Sequence, residues 1–179
     1  VRGNVSLLKY NVESLYGTNT QLSLDGYTFM SIGQEPTVFK LVRSAGVDSQ
    51  TGDALYYKLD GSVTNVYSSG DAQFLDGKST LPSAYGGFGA TFRYKQFDLN
   101  GDFSFQRGGY SVNIMYLNTV DFSSYNYNLS TDAFNYWKNP GDNVDLPRPN
   151  ANGLELTDQF LQKTDFIRFR ILELGYTFN

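Results

Sequence analysis

The side chains best able to do chemistry in this chain are carboxylates and guanidiniums placed two or four residues apart. Asp98 and Asp102 fall on one face of an alternating segment, and Arg168 and Arg170 on one face of another. Paired carboxylates can share acid–base work. A polar sheet face lining a barrel interior would carry the same residues with no chemistry, and that reading is the stronger. Asp48-Ser49-Gln50-Thr51-Gly52-Asp53 offers the oxygen ligands that hard cations take. It lacks both the Asp-x-Asp-x-Asp-Gly rhythm and a closing Glu, so an ordinary Asp/Gly turn fits better and no metal site is assigned. Gly86-Gly87-x-Gly89 has the look of a phosphate loop, but it opens a strand and no Gly-Lys-Ser/Thr follows. Tight strand packing explains it. Trp137, beside Tyr136 and Phe134, has the type to stack on a sugar ring or to fold a long loop onto itself. The two readings weigh equally, and Trp137 and Tyr136 stand as candidate loop contacts.

Composition narrows the field further. The 179 residues include no His and no Cys. That removes the commonest general base and metal ligand, and with them disulfides and thiolate nucleophiles. No catalytic residue and no cofactor is proposed. With 14 basic and 18 acidic residues the net charge is −4, the wrong sign for a nucleic-acid partner. Tyr (14) and Phe (14) supply nearly all of an aromatic share of 16%. Both suit pleated, half-buried surfaces and the aromatic girdles of a membrane barrel. No run approaches the roughly 20 apolar residues of a membrane-spanning helix. Val1-Arg2-Gly3-Asn4 shows no leader pattern and no initiator Met, which suggests a mature, processed or partial chain.

The elements that must position these residues are strands. Phe88, Ala90, Phe92 and Tyr94 alternate with Gly89, Thr91 and Arg93; after Lys95-Gln96, Phe97, Leu99, Gly101, Phe103 and Phe105 alternate with Asp98, Asn100, Asp102, Ser104 and Gln106. Period-2 alternation sends each set to its own sheet face, and the short polar break predicts a hairpin turn at Tyr94–Phe97. A second run, Ile167, Phe169 and Ile171 against Arg168 and Arg170, slips phase into Leu172, Leu174, Tyr176 and Phe178. A slip inverts every side chain unless a bulge or turn absorbs it, here near Ile171–Leu172. Asn4–Leu15 reads as a weakly alternating strand, and Ala54–Lys58 as a short strand between turns.

The stretch Asp121–Thr164 is rich in turn signals such as Asn139-Pro140-Gly141-Asp142 and Leu146-Pro147-Arg148-Pro149. Thr131–Lys138 could make a helical turn or two, with Ser130 or Thr131 as N-cap. Loops longer than roughly 12–15 residues are rare in compact soluble domains. Outer-membrane barrels have short periplasmic turns and long outer loops, which would put the Tyr94–Phe97 turn inside and Asp121–Thr164 outside.

Four segments, in order, resemble the SusC/RagA class of TonB-dependent receptors. Ala45-Gly46-Val47-Asp48-Ser49-Gln50-Thr51-Gly52-Asp53-Ala54-Leu55-Tyr56-Tyr57 is similar to that family's "AGVDPxTGDPLYYD". Leu81-Pro82-Ser83-Ala84-Tyr85-Gly86-Gly87-Phe88, followed by Phe92 to Leu99, is likewise similar to a stretch of that family. Thr131 to Asp142 resembles "TDALNRWxxPGD", and Phe166 to Phe178 resembles "YLRLKNLTLGYTF". Ser49 stands where the family has Pro, and Ile171-Leu172-Glu173 where it has Lys-Asn-Leu.

The resemblance implies an all-β fold: an antiparallel transmembrane β-barrel segment, about five or six strands of a barrel of about 22, with long extracellular loops. Residues 1–179 would be a partial C-terminal portion of one barrel domain, without the plug domain or energy-coupling box. It also implies a bacterial outer-membrane importer of an oligosaccharide or oligopeptide, a SusD-like lipoprotein as lid, and TonB acting through the N-terminal part. Arg93, Asp98, Asn100, Asp102, Ser104 and Gln106 would then face the lumen. Phe88, Phe92, Tyr94, Phe97, Leu99, Phe103 and Phe105 would face outer-membrane lipid. Two other readings stay open: a secreted glycan-binding β-sandwich, and a small self-contained barrel of structural role.

Overall fold

The computed structural model describes residues 1–123, 128–149 and 153–178. Positions 124–127 and 150–152 of the Asp121–Thr164 stretch, and Asn179 at the end of the chain, lie outside the described residues. The strands run in order as β1 (Arg2–Leu7), β2 (Gln21–Ser23), β3 (Thr28–Ser31), β4 (Val38–Leu41), β5 (Arg43–Val47), β6 (Ala54–Tyr57), β7 (Val63–Thr64), β8 (Gln73–Ser79), β9 (Ala84–Tyr94), β10 (Phe97–Arg107), β11 (Tyr110–Val112), β12 (Leu161–Lys163) and β13 (Phe166–Tyr176). One α-helix, α1 (Ile114–Val120), and three short 3-10 turns complete the described elements.

A wall is made by the antiparallel sheet β1-β9-β10-β13. The sequence suggests about five or six strands; four share this sheet, and the others are short and lie elsewhere. β9 and β10 form the expected hairpin, Tyr94 pairing with Phe97 across Lys95-Gln96. Lys95 takes a left-handed φ of 54° there, as tight two-residue hairpin loops require. The phase slip falls between Ile171, opposite Asp102, and Phe169, opposite Phe103, so Arg170 is the extra residue. The bulge therefore sits just before Ile171–Leu172. By register Ile171 lies on the polar side with Asp102, while Leu172 shares the apolar lane with Gly101.

The opening strand is shorter than Asn4–Leu15. β1 stops at Leu7, and the Leu8 N–H then bonds to Ser83 O at 2.8 Å while Val12 N–H bonds to Gln34 O at 2.9 Å. The chain leaves the wall because its next partners lie outside the sheet. Leu7 pairs with Ala84, and Gln106 with both Tyr85 and Phe166. Consequently both long insertions, 8–83 and 108–165, leave the wall at one end, and the hairpin lies at the other.

The insertions fold together as a cap. Sheets β2-β3-β4-β8, β5-β6-β7 and β11-β12 belong to it. Phe39, Leu41 and Leu75 form one buried cluster, and Val120, Ala133, Leu146 and Phe160 another; Val112 and Leu156 flank both. Alternation in β4 buries Phe39 and Leu41 on one face, opposite Lys40. α1 begins where the Asn113 side chain accepts from Tyr116 N–H at 2.8 Å, and supplies Val120 to the second cluster. The Asp121–Thr164 stretch is therefore folded over much of its length, because Leu146 and Phe160 are apolar enough to hold it down. Thr131–Asn135 is a 3-10 turn capped by the Ser130 side chain, in line with expectation.

Candidate functional site

The wall has two chemically opposite faces. Register puts Gly3, Val5 and Leu7 of β1 in the same lanes as Phe88, Gly86 and Ala84 of β9. From there the lanes continue across Phe88–Phe103–Phe169, Phe92–Leu99–Leu174 and Tyr94–Phe97–Tyr176. Phe88 and Phe103 stack with ring centroids 4.9 Å apart, and Phe103 and Phe169 lie 4.7 Å apart. Among the described residues no second layer lies against these rings: Phe92 is 74% and Phe97 52% exposed. Phe103 and Phe105 are partly covered by their neighbours. Near the hairpin Phe97, Tyr176 and Phe178 form a chain of ring contacts at 4.8 Å each.

The opposite face carries a polar network across all four strands. Arg2 of β1 reaches Asp102 of β10 through two hydrogen bonds, Nη2 to Oδ2 at 2.6 Å and Nε to Oδ1 at 3.1 Å. Such a forked pair fixes both side chains in direction as well as distance. Arg2 Nη2 also donates to Asn100 Oδ1 at 3.0 Å, which accepts from Thr91 Oγ1 at 3.0 Å. Asn100 Nδ2 in turn donates to Glu173 Oε2 of β13 at 3.2 Å. Asn4 Oδ1 accepts from Gly87 N–H at 3.0 Å.

Glycine makes room for the carboxylates. Gly89 faces Asp102 across the ladder, and a Cβ there would collide with the Asp102 carboxylate. Gly175 stands in the same relation to Asp98, whose Oδ2 would lie 2.5 Å from an added Cβ. The Gly86-Gly87-x-Gly89 segment is thus close packing in a strand, as its context suggests.

The residues assigned by alternation fall as expected on the polar side: Arg93 opposite Asp98, Asn100 opposite Thr91, Asp102 opposite Gly89, Ser104 opposite Gly87 and Gln106 opposite Tyr85. Only Asn100 and Asp102 enter the network. Gln106 bonds Thr164 Oγ1 at 3.3 Å at the cap end. Arg93 and Asp98 face each other in register, yet among the described residues the ion pairs are Arg2–Asp102 and Arg148–Asp53. Asp98 and Asp102, four residues apart on one strand, are separated by about 13 Å at ~3.3 Å per residue, beyond carboxylate acid–base partnership. The face is built to hold polar groups in fixed directions. Alternation already puts Thr91 on this face, whereas Arg2, Asn4 and Glu173 carry no site assignment from sequence, although Arg2-Gly3-Asn4-Val5-Ser6-Leu7 does alternate.

A second constellation joins the two insertions. Asp48 Oδ1 accepts from Gln50 N–H at 2.8 Å and Thr51 N–H at 3.3 Å, closing the turn on itself. Trp137 Nε1 donates to Ser49 O at 2.9 Å, and its ring lies against Gly52, where any side chain would clash. Gly141 N–H bonds Ser49 O at 2.7 Å, and Arg148 N–H bonds Gly52 O at 2.9 Å. Arg148 also pairs with Asp53 at 2.8 Å, and this hydrogen bond holds the Asp53 carboxyl below the usual carboxylate range. Asp142 accepts from Asn139 and Lys138 N–H at 2.8 and 3.0 Å, which lowers its carboxyl likewise and shapes the Pro-Gly-Asp turn. Trp137 therefore serves as an anchor between loops. Tyr136 packs edge-on to Phe122 at 5.2 Å.

No family model matches the chain. A curated relative, TonB-dependent receptor P3 of Formosa agariphila, is 29% identical over 154 residues, covering 86% of this chain and 15% of its own length. Among solved structures, the RagAB peptide transporter superposes with a TM-score of 0.85 at 24% identity, over 97% of this chain and 20% of that one. The RagAB peptide importer in its "open-open" state matches with a TM-score of 0.83, again at 24% identity, over 97% and 19%. The chain thus spans about a fifth or less of the proteins it matches. In its ordered motifs and its two-faced wall the chain is similar to a segment of a TonB-dependent receptor, and it shares the fold of the matching part of the RagAB transporter structures.

Proposed function

We propose that the intact protein is an outer-membrane importer of a large nutrient, an oligosaccharide or oligopeptide, capped by a SusD-like lipoprotein and driven by TonB through a part outside this chain. Residues 1–179 form a C-terminal portion of its barrel, and further strands pair with β1 and β13. In this reading Phe88, Phe92, Tyr94, Phe97, Leu99, Phe103 and Phe105 meet lipid. Arg93, Asp98, Asn100, Asp102, Ser104 and Gln106 line the lumen, joined by Arg2, Thr91 and Glu173. The cap stands outside the cell and the Lys95-Gln96 hairpin in the periplasm.

The observation that carries this is the pairing of an exposed aromatic face with a hydrogen-bonded polar face on the same sheet. A soluble sandwich would bury the first, and a soluble surface would not sustain so large an apolar patch. β9, β10 and β13 each run 11 residues, matching the about 9–11 of a tilted membrane-crossing strand. Tyr94, Phe97, Tyr176 and Phe178 at the hairpin end are placed as an interfacial girdle. The curated relative's name and the transporter title of its structural neighbours support the transport role.

The test is the mass and location of the native polypeptide. An antibody to the cap should detect a species several times heavier than 20.1 kDa, confined to outer-membrane fractions. A soluble polypeptide of that small mass would overturn the proposal.

A further inference from the structure

The cap holds a half-buried carboxylate, Glu155, that makes no ion pair among the described residues. Its place follows from how the two insertions meet. Register in the small sheet β5-β6-β7 puts Ser44, Tyr56 and Thr64 on one face, and Arg43, Tyr57 and Val63 on the other. The Arg43 guanidinium lies over the Tyr57 ring at 5.1 Å, so the sheet's arginine is turned away from the Tyr56 face. On the Tyr56 face, Ser44 Oγ donates to Gln159 Oε1 at 3.5 Å, and Ser44 N–H to the Asp158 carboxylate at 2.8 Å. Just before this seam Leu154 and Leu156 pack on the buried clusters, and Thr157 is buried. Glu155, between the two leucines, is left beside Tyr56 and Tyr67.

Tyr56 and Tyr67 meet edge to face, with ring centroids 5.4 Å apart and planes at 76°. Both are half-buried, and burial, then the Glu155 carboxylate, raises both phenols above the ordinary tyrosine value. The corner thus presents two aromatic planes near a right angle, with one negative charge beside them. Ring faces carry the negative side of the aromatic quadrupole, so all three groups attract positive charge. Hard metal cations gather several oxygens, and the described residues offer no group of three acidic ligands. A neutral sugar would stack on the rings and leave the carboxylate without a counter-charge. An alkylammonium satisfies both: its charge meets Glu155 and its methylenes meet the rings. We propose that Tyr56, Tyr67 and Glu155 bind an ammonium group of the cargo, carried by a peptide amine or an amino sugar. The proposal rests on the reading of the cap as the importer's outer surface.

The experiment uses the intact protein purified from outer membranes in detergent. It is titrated calorimetrically with amidated trilysine and, separately, with a glucosamine trimer, each beside its fully N-acetylated form. A free amine should bind about ten-fold more tightly than its acetylated form. Tighter binding of trilysine identifies a peptide amine as the source, and tighter binding of the glucosamine trimer an amino sugar. Glu155→Gln and Tyr67→Leu should each weaken the amine about ten-fold. Tyr67→Phe, which keeps the ring, and Asp76→Asn, an exposed carboxylate on β8, should bind as wild type does. Heat-resistant migration and unchanged hydrogen exchange in the cap show that each variant is folded. Equal binding of free and acetylated ligands, failure of both amines to bind, or a folded Glu155→Gln protein with wild-type affinity overturns the site and leaves the transporter reading standing. Absence of the polypeptide from outer-membrane fractions overturns that reading, and the role of the site in cargo binding with it.

Discussion

The cap and the wall are built on opposite plans. In the cap, apolar side chains turn inward: Phe39 is 1% and Val120 2% exposed, and polar groups ring them. In the wall, the largest apolar side chains turn outward with no described residue layered over them, and the polar groups form the ordered, mutually bonded face. The cap therefore holds itself together by the ordinary expulsion of water from apolar surface. The wall does not, and on the proposed reading its apolar face meets lipid, a solvent as apolar as itself. On that reading one chain solves two folding problems in two media.

Four predictions test that contrast. The largest effect belongs to the cap: Phe39→Ala should cost about 3–5 kcal/mol, read as lost amide protection at Val42 and Leu75 in hydrogen exchange. A loss confined to below ~1 kcal/mol would mean that the cap does not depend on its own core. Next, Leu99→Arg, in the apolar lane of the wall, should cost about 2–4 kcal/mol in refolding into vesicles if it lies near the bilayer centre. Thr91→Arg on the polar face should cost far less, and equal costs would erase the distinction between faces.

Smaller is Gly89→Val, which drives a side chain into Asp102 and should cost about 1–3 kcal/mol, as overpacking does. The same protein should lose the Arg2–Asp102 contact, seen as loss of the coupling that an Arg2→Gln/Asp102→Asn double-mutant cycle detects in the wild-type background. The smallest effect is electrostatic. Asp53 has a folded-state pKa below its ordinary value, chiefly because Arg148 bonds it, so its contribution is present above the unfolded carboxylate pKa and is lost as pH falls through the folded one. Both partners are substantially solvent-exposed, so Asp53→Asn should cost under about 1 kcal/mol. The wild-type advantage in cap stability should vanish on acidification below the ordinary carboxylate range.

What the sequence by itself determined is whatever repeats locally. Alternation from Phe88 to Gln106 settled two strands, their turn at Lys95-Gln96 and which residues share a face, because a strand's side chains have period two whatever surrounds them. The phase slip near Ile171 required a bulge for the same reason. The Asp48–Asp53 turn and the Ser130 cap follow from side chains bonding to backbone a few residues away. Tertiary structure alone decided the rest. That Arg2 would meet Asp102, that Asn100 would reach Glu173, that Trp137 would close over Gly52 and that Glu155 would lie beside Tyr56 depend on strand order and on loops meeting loops. Nothing in the spacing of those residues encodes such meetings, since their energy is gained only after distant chain segments have already come together.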